Sequence, residues 1–161
     1  MKQLLGLEPL VPEGGWFVET YRSRERLAAG VLAPGSSGER SLATAIYYLL
    51  TPETFSAIHR LRADEIFHFY LGDPVEMLQL MPDGSGRTVR LGIDLAGGMR
   101  PQMAVPKGVW QGSRLVPGGA VALLGTTVSP GFDRADVEPG AREALLAAYP
   151  DHRERIIALT R

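Results

Sequence analysis

Along most of this chain, apolar and polar residues alternate with the period of two that marks strands buried on one face. From Trp16 to Tyr21, the side chains of Trp16, Val18 and Thr20 point one way and those of Phe17, Glu19 and Tyr21 the other. Leu42–Leu50 is apolar at nearly every position and predicts a strand covered on both faces, ended by Thr51–Pro52. Short strands follow at 55–61, 65–71 and 75–81, and Asp83–Gly84 closes a hairpin into Arg87–Leu91. Two more are predicted near 102–105 and 113–116. An apolar strand, Ala120–Val128, then follows the Pro117–Gly118–Gly119 turn. Ser23–Arg40, rich in Gly, Ser and charge, reads as a hairpin with a mobile tip around Pro34–Gly38.

The period changes at both ends. Residues 2–7 predict a short helical turn stopped by Gly6. After Gly131, Glu138–Pro139–Gly140 opens a helix with Ala141, Leu145, Ala148 and Tyr149 as its apolar stripe, and Pro150 ends it. Asp151–His152–Arg153–Glu154 has capping-box spacing for a last turn carrying Ile156 and Ile157, with His152 exposed. Asp133 and Asp136 are placed to cap or brace this tail. Many short strands with Gly/Pro turns and a helical tail predict an all-β sandwich or jelly roll with helices packed outside. No repeat or linker interrupts it, so a single domain is expected. Residues 1–14 form a helical turn and loop, 15–130 the jelly roll, and 131–161 a helical appendage.

Composition narrows the function. A chain of 161 residues builds one sizeable core. Its formal net charge of −1 gives no electrostatic reason to bind nucleic acid or an anionic membrane. The absence of cysteine excludes disulfides and thiolate metal sites and suits the cytoplasm. MKQLLGLEPLVPEGG meets Glu8 and Pro9 before a long apolar region forms, so no signal peptide is expected. Leu42–Leu50 is far too short to span a bilayer.

The chemistry concentrates in FSAIHRLRADEIFHFYLGDP (55–74) and PKGVWQ (106–111). Titratable groups this dense on a strand suggest a lined pocket. His59 and Glu65 read either as a hydrogen-bonded structural pair or as a His–carboxylate dyad that serves as a general base. Alternation from Glu65 puts Phe67 and Phe69 on its face and Ile66, His68 and Tyr70 on the other, unless a bulge reverses them. A histidine such as His68 in an apolar run is more often a satisfied core group than a catalyst. Trp110 stacks on a planar or sugar ring, or simply packs in the core, while Gln111 can read a ring edge. Tyr21, Arg22 and Arg60 either complete a pocket for an anionic ligand or lie on solvated surface. The chain contains no phosphate-binding glycine loop, nucleophile elbow or basic–aromatic nucleic-acid motif.

Two features resemble the cupin signature. His59, Glu65 and Gly72 keep the register of the first cupin motif, with Leu61 at its second histidine position. Pro106 and Gly108 match the second motif, with Gln111 in place of its histidine. PEGGWFVETYRS (12–23), IYYLL (46–50), DEIFHFYLGDP (64–74), PKGVWQ (106–111), TTVSPGFD (126–133) and LTR (159–161) resemble the motifs of one branch, cupin type five. The resemblance implies a double-stranded β-helix (jelly-roll) cupin barrel that pairs as a homodimer. It implies no particular reaction. A typical cupin metal site sets three histidines and a carboxylate on a divalent ion. Here the ligands would be His59, Glu65 and Gln111, with His68 as a further candidate.

The two missing histidines favour a cavity that works without a cofactor. The leading expectation is therefore a small-molecule-binding protein that isomerises or epimerises a sugar- or ring-bearing ligand, by analogy with the metal-free cupin-fold deoxysugar-nucleotide epimerases. His59 would be its base and Glu65 the orienter of that base. His68, Trp110, Gln111, Tyr21 and Arg22 would contact the ligand. The alternatives are a metal-dependent cupin enzyme and a non-catalytic binding or sensing module.

Overall fold

The computed structural model describes residues 1–28 and 38–161. The alternating segments become strands β1 (Glu8–Pro9), β2 (Trp16–Arg22), β3 (Arg26–Leu27), β4 (Arg40–Ser41), β5 (Thr44–Leu50), β6 (Ser56–Leu61) and β7 (Asp64–Gly72). They continue as β8 (Val75–Leu80), β9 (Gly86–Leu91), β10 (Gln102–Val105), β11 (Trp110–Leu115), β12 (Ala122–Ser129) and β13 (Val137–Pro139). The named strands pair antiparallel in two larger sheets, ordered β1-β2-β5-β12-β7-β10 and β13-β6-β11-β8-β9. β3 and β4 pair separately as the base of the expected 23–40 hairpin. The predicted mobile tip falls, at 34–37, outside the described residues.

Inward side chains of the two sheets meet in one apolar cluster. Tyr48, Leu50, Phe67, Phe69 and Leu124 come from the first sheet, and Val75, Met77, Leu91 and Leu115 from the second. Each fully buried side chain of this size contributes about 1.5–3 kcal/mol. The short helix α1 (Lys2–Leu5) brings Leu5 and the following Leu7 onto the outer face of the first sheet, against Leu49, Leu123 and Trp16. On the outer face of the second sheet, α2 (Arg142–Ala148) and α3 (Arg153–Ala158) pack Leu145, Tyr149 and Ile156 on Ile58, Leu78 and Leu80. The Tyr149 hydroxyl locks this layer by donating to the Met81 carbonyl at 2.9 Å.

Several elements differ from the sequence expectation, each for a local reason. Thr20 forms a bulge on β2: Glu19 faces Ile46 and Tyr21 faces Ala45. The extra residue reverses the predicted faces beyond it, so Tyr21 turns outward and Arg22 inward. The strand expected at 113–116 starts at Trp110, so Trp110 and Gln111 lie within it. Two long-range bonds end the Pro106–Gly108 turn early: Lys107 N–H to Asp64 Oδ1 and Gly108 N–H to the Leu61 carbonyl, both 2.8 Å. Pro139 belongs to edge strand β13, and Ala141 and Ala148 are exposed, so the buried stripe of α2 reduces to Leu145 and Tyr149. The Asp151–Glu154 capping box does not form. Pro150–His152 is a 3-10 turn without a side-chain cap, and His152 is half-buried against Gly86 rather than exposed. Asp133 caps the 3-10 turn Arg134–Asp136 by accepting from Ala135 N–H at 2.9 Å, while Asp136 pairs with the buried Arg40 at 3.1 Å.

Candidate functional site

At one end of the barrel the inward positions turn polar. β6 carries a register irregularity against β11: Gln111 pairs with His59, and Ser113 with Ser56. Two residues of β6, Ala57 and Ile58, therefore oppose one of β11, Gly112, and Ser56, His59 and Leu61 all line the interior. Gly112 permits this close approach, because a Cβ there would press on Ile58 Cγ1 at 2.8 Å. From the facing sheet, alternation on β7 points Glu65 inward, as predicted. The result is a cavity of about 260 Å³, whose polar lining includes Glu13, Thr44, Ser56, His59, Glu65 and Thr126. Tyr48, Phe67 and Phe132 supply its aromatic wall.

His59 is 9% exposed, and its Nδ1 lies 2.8 Å from the carbonyl oxygen of Ala57. A carbonyl only accepts, so Nδ1 carries the proton. The neutral ring then keeps an acceptor lone pair on Nε2, which no described residue hydrogen-bonds. Glu65, 7% exposed, is held differently: Gln111 Nε2 donates to its Oε2 at 2.5 Å. Burial holds the Glu65 carboxyl above the usual range, against the attraction of His59 and the bonds from Gln111 and Thr126. Ala57, not Glu65, thus orients the His59 ring, which corrects the expected dyad. Gln111, 2% exposed, stands behind Glu65 rather than on the ligand side, and its Oε1 has no partner.

The rim is charged. Arg22, turned inward by the Thr20 bulge, makes a two-point pair with Glu19 at 2.6 and 2.9 Å. Arg134 also lines the cavity and donates to the Val11 carbonyl at 3.0 Å. The Tyr48 hydroxyl donates to Gly14 O at 2.8 Å, and burial pushes its pKa well above the ordinary tyrosine value.

The structure thus brings His59, Glu65, Gln111 and Arg22 together. It does not bring the others. Tyr21 is 55% exposed on the outer face. His68 also lies outside the barrel, where its ring nitrogens meet Thr127 and Gln102 at 3.2 Å and its ring stacks on Tyr70. Trp110 packs beneath the helical tail with the Arg60 guanidinium 4.4 Å above its ring. Sequence reasoning missed Glu13, Ser56, Tyr48, Thr126 and Arg134 as lining residues. Glu13 and the two glycines after it were the visible signal, since paired glycines mark a tight backbone approach.

The family model for the cupin superfamily (DUF985) matches residues 2–139. The chain belongs to that cupin family. An uncharacterised protein of Saccharomyces cerevisiae is 33% identical over 132 residues, 77% of this chain and 66% of that protein, so the cupin chain spans just under two thirds of that relative. A Shewanella oneidensis crystal structure superposes with a TM-score of 0.86 at 39% identity, covering 99% of this chain and 94% of that one. A hypothetical Leishmania major protein gives 0.88 at 30% identity, covering 99% and 96%. Bacillus subtilis oxalate decarboxylase, for which Mn(II) centres are described, matches at 0.58 and 14% identity over 95% of this chain and 37% of its own, a likeness of fold alone.

The donor set of this cupin does not suit such an ion. Leu61 cannot ligate, and Gln111, whose Oε1 is its one ligating atom, does not line the cavity. No three His, Cys, Asp or Glu side chains among the described residues are disposed to hold a metal. Nor is any helix among them long and apolar enough to cross a membrane.

Proposed function

We propose that this cupin binds a small sugar- or ring-bearing ligand at the hollow end of its barrel and moves a proton on it without a metal, as an isomerase or epimerase does. The observation that carries this reading is the His59 ring, whose Nδ1–H is tied to Ala57 O while Nε2 is left without a protein partner. A base that takes a proton from carbon beside a carbonyl needs such a lone pair within reach of the ligand. The C–H electron pair moves onto the carbonyl oxygen as an enolate, and the imidazolium returns its proton to the face it sits on; inversion follows when the enolate turns over in the cavity before it is reprotonated. In its ionised form Glu65, held by Gln111, attracts the positive ring, and that attraction works against the burial that raises its pKa. Trp110, His68 and Tyr21 take no part in ligand contact. The fold itself hosts many chemistries, so the argument rests on the site.

A thermal-shift screen followed by exchange in heavy water tests the reading. A ligand at ~100 times its Kd adds about 2.7 kcal/mol of stability. Any binder that carries a carbonyl should gain solvent deuterium at the adjacent carbon, and His59→Gln should abolish that gain. Exchange that survives His59→Gln contradicts the general base. Binding without exchange for every ligand found makes the protein a binding or sensing module.

The proposal extends to a homodimer in the cytoplasm. The outer face of the first sheet leaves Tyr70 and Leu71 nearly half exposed beside Tyr47, an apolar surface that a second copy can cover. Light scattering on the purified chain reads this directly, and a monomer at micromolar concentration contradicts it.

A further inference from the structure

A second buried carboxylate lies beside His59, and proton transfer at that ring does not use it. Glu13 is 7% exposed, and its Oε2 is fully buried with no hydrogen-bond partner. It lines the cavity and also an adjoining recess of about 330 Å³, bounded by β13 and Thr160–Arg161. His59 and Arg134 line both spaces too, so these three side chains stand at the junction. The backbone ties Glu13 to the histidine through one residue: Ala57 N–H donates to Glu13 O at 2.7 Å, and Ala57 O accepts from His59 Nδ1 at 2.8 Å. Gly14, next in the chain, has φ 100° and sits against the Phe55 carbonyl, a conformation and a gap that only glycine fills.

The unpaired atoms here share one chemistry. Glu13 Oε2 and His59 Nε2, on side chains that line both spaces, accept and do not donate. A buried acceptor without a donor is unfavourable, and a ligand that supplies hydroxyl protons relieves it. Arg134 adds the opposite demand. Its one bond goes to the Val11 carbonyl, and no described carboxylate pairs with its guanidinium.

We propose that Glu13 contacts the ligand directly, accepting hydroxyl protons of a sugar whose anionic substituent lies against Arg134. The ligand class is a sugar acid or a sugar phosphate. This deepens the reading of the His59 cavity as the ligand site and rests on it.

Isothermal titration of the full chain with glucuronate, galacturonate, glucose 6-phosphate, the parent hexoses and inorganic phosphate tests the assignment. At least one anionic sugar should bind about tenfold tighter than its neutral parent and than phosphate alone. The uronates and the sugar phosphate separate a carboxylate from a phosphate as the anionic group. Glu13→Gln should weaken that sugar by about tenfold or more, and Arg134→Ala should erase the preference for the anionic form. In the wild-type chain, the side-chain carboxyl carbon resonance of Glu13 should move on addition of the same sugar, a readout that needs no variant to fold. An anionic sugar that binds with an unmoved Glu13 resonance, or unchanged by Glu13→Gln, overturns the role of Glu13 and leaves the His59 base intact. If none of these probes binds, the ligand class is wrong. A sugar that needs Glu13 but undergoes no His59-dependent exchange keeps the Glu13 contact and removes the proton-transfer reading.

Discussion

One set of strands builds a solid end and a hollow end of the same barrel. Along β7 the inward residues run Glu65, Phe67, Phe69. Along β12, in the opposite direction, they run Thr126, Leu124, Ala122. β5 goes from Thr44 through Ile46 and Tyr48 to Leu50, and β11 from Gln111 through Ser113 to Leu115. At the apolar end these side chains fill the space between the sheets. At the polar end they leave a cavity and several unpaired acceptors. The same strands run through both ends, so what separates packing from chemistry is the choice of inward residue together with the irregularities in β2 and β6 that bring Arg22 and Ser56 to the cavity. Stability comes from one end, and the other gives some of it up to keep polar groups within reach of a ligand.

The comparison breaks if the ends do not respond differently to substitution. Leu124→Ala, at a fully buried site of the solid end, should lose about 3 kcal/mol in urea unfolding and leave ligand affinity unchanged. Trp110→Ala should lose about 2 kcal/mol, because its half-buried ring supports the helical layer. It too should leave affinity unchanged, and a large loss of binding would put Trp110 back in the site.

The hollow end should behave in the opposite sense. Burial raises the Glu65 pKa above its unfolded value, so the native state holds this proton more tightly than the unfolded chain. Its contribution is fully present below the unfolded carboxylate pKa of about 4.5 and is lost as pH rises through the higher folded value. The stability of Glu65→Gln minus that of the wild type should therefore grow with pH across that window and then level off. A difference that stays flat with pH means that burial of this carboxyl is compensated.

How much of this was legible in the sequence depended on how local the cause was. Strict alternation placed Glu65, Phe67 and Phe69 inside and His68 outside, because a strand without a bulge at those positions obeys its period of two. Tyr21 and Arg22 were inseparable in the sequence, since the Thr20 bulge that divides them depends on pairing with β5. Trp110 and Gln111 form one dipeptide with opposite fates. Their faces were not legible because the turn before them is set by Asp64 and Leu61, more than 40 residues away. Glu13 reads as part of a turn. The paired glycines after it signal a close backbone approach, but the partners in that approach, Phe55 and Ala57, lie more than 40 residues away and are not marked locally. The cupin motifs located the chemistry, and the contacts between strands decided which atoms face the cavity.

Proton transfer at the hollow end turns on which nitrogen of His59 is free. Long-range ¹⁵N–¹H correlation on histidine-labelled protein, with His59 assigned by the His59→Gln variant, reads this directly. In the neutral ring, Nδ1 should be protonated and Nε2 bare, and an added ligand should shift Nε2. A neutral His59 protonated on Nε2, with no lone pair facing the cavity, would contradict the proposed base and the site built around it.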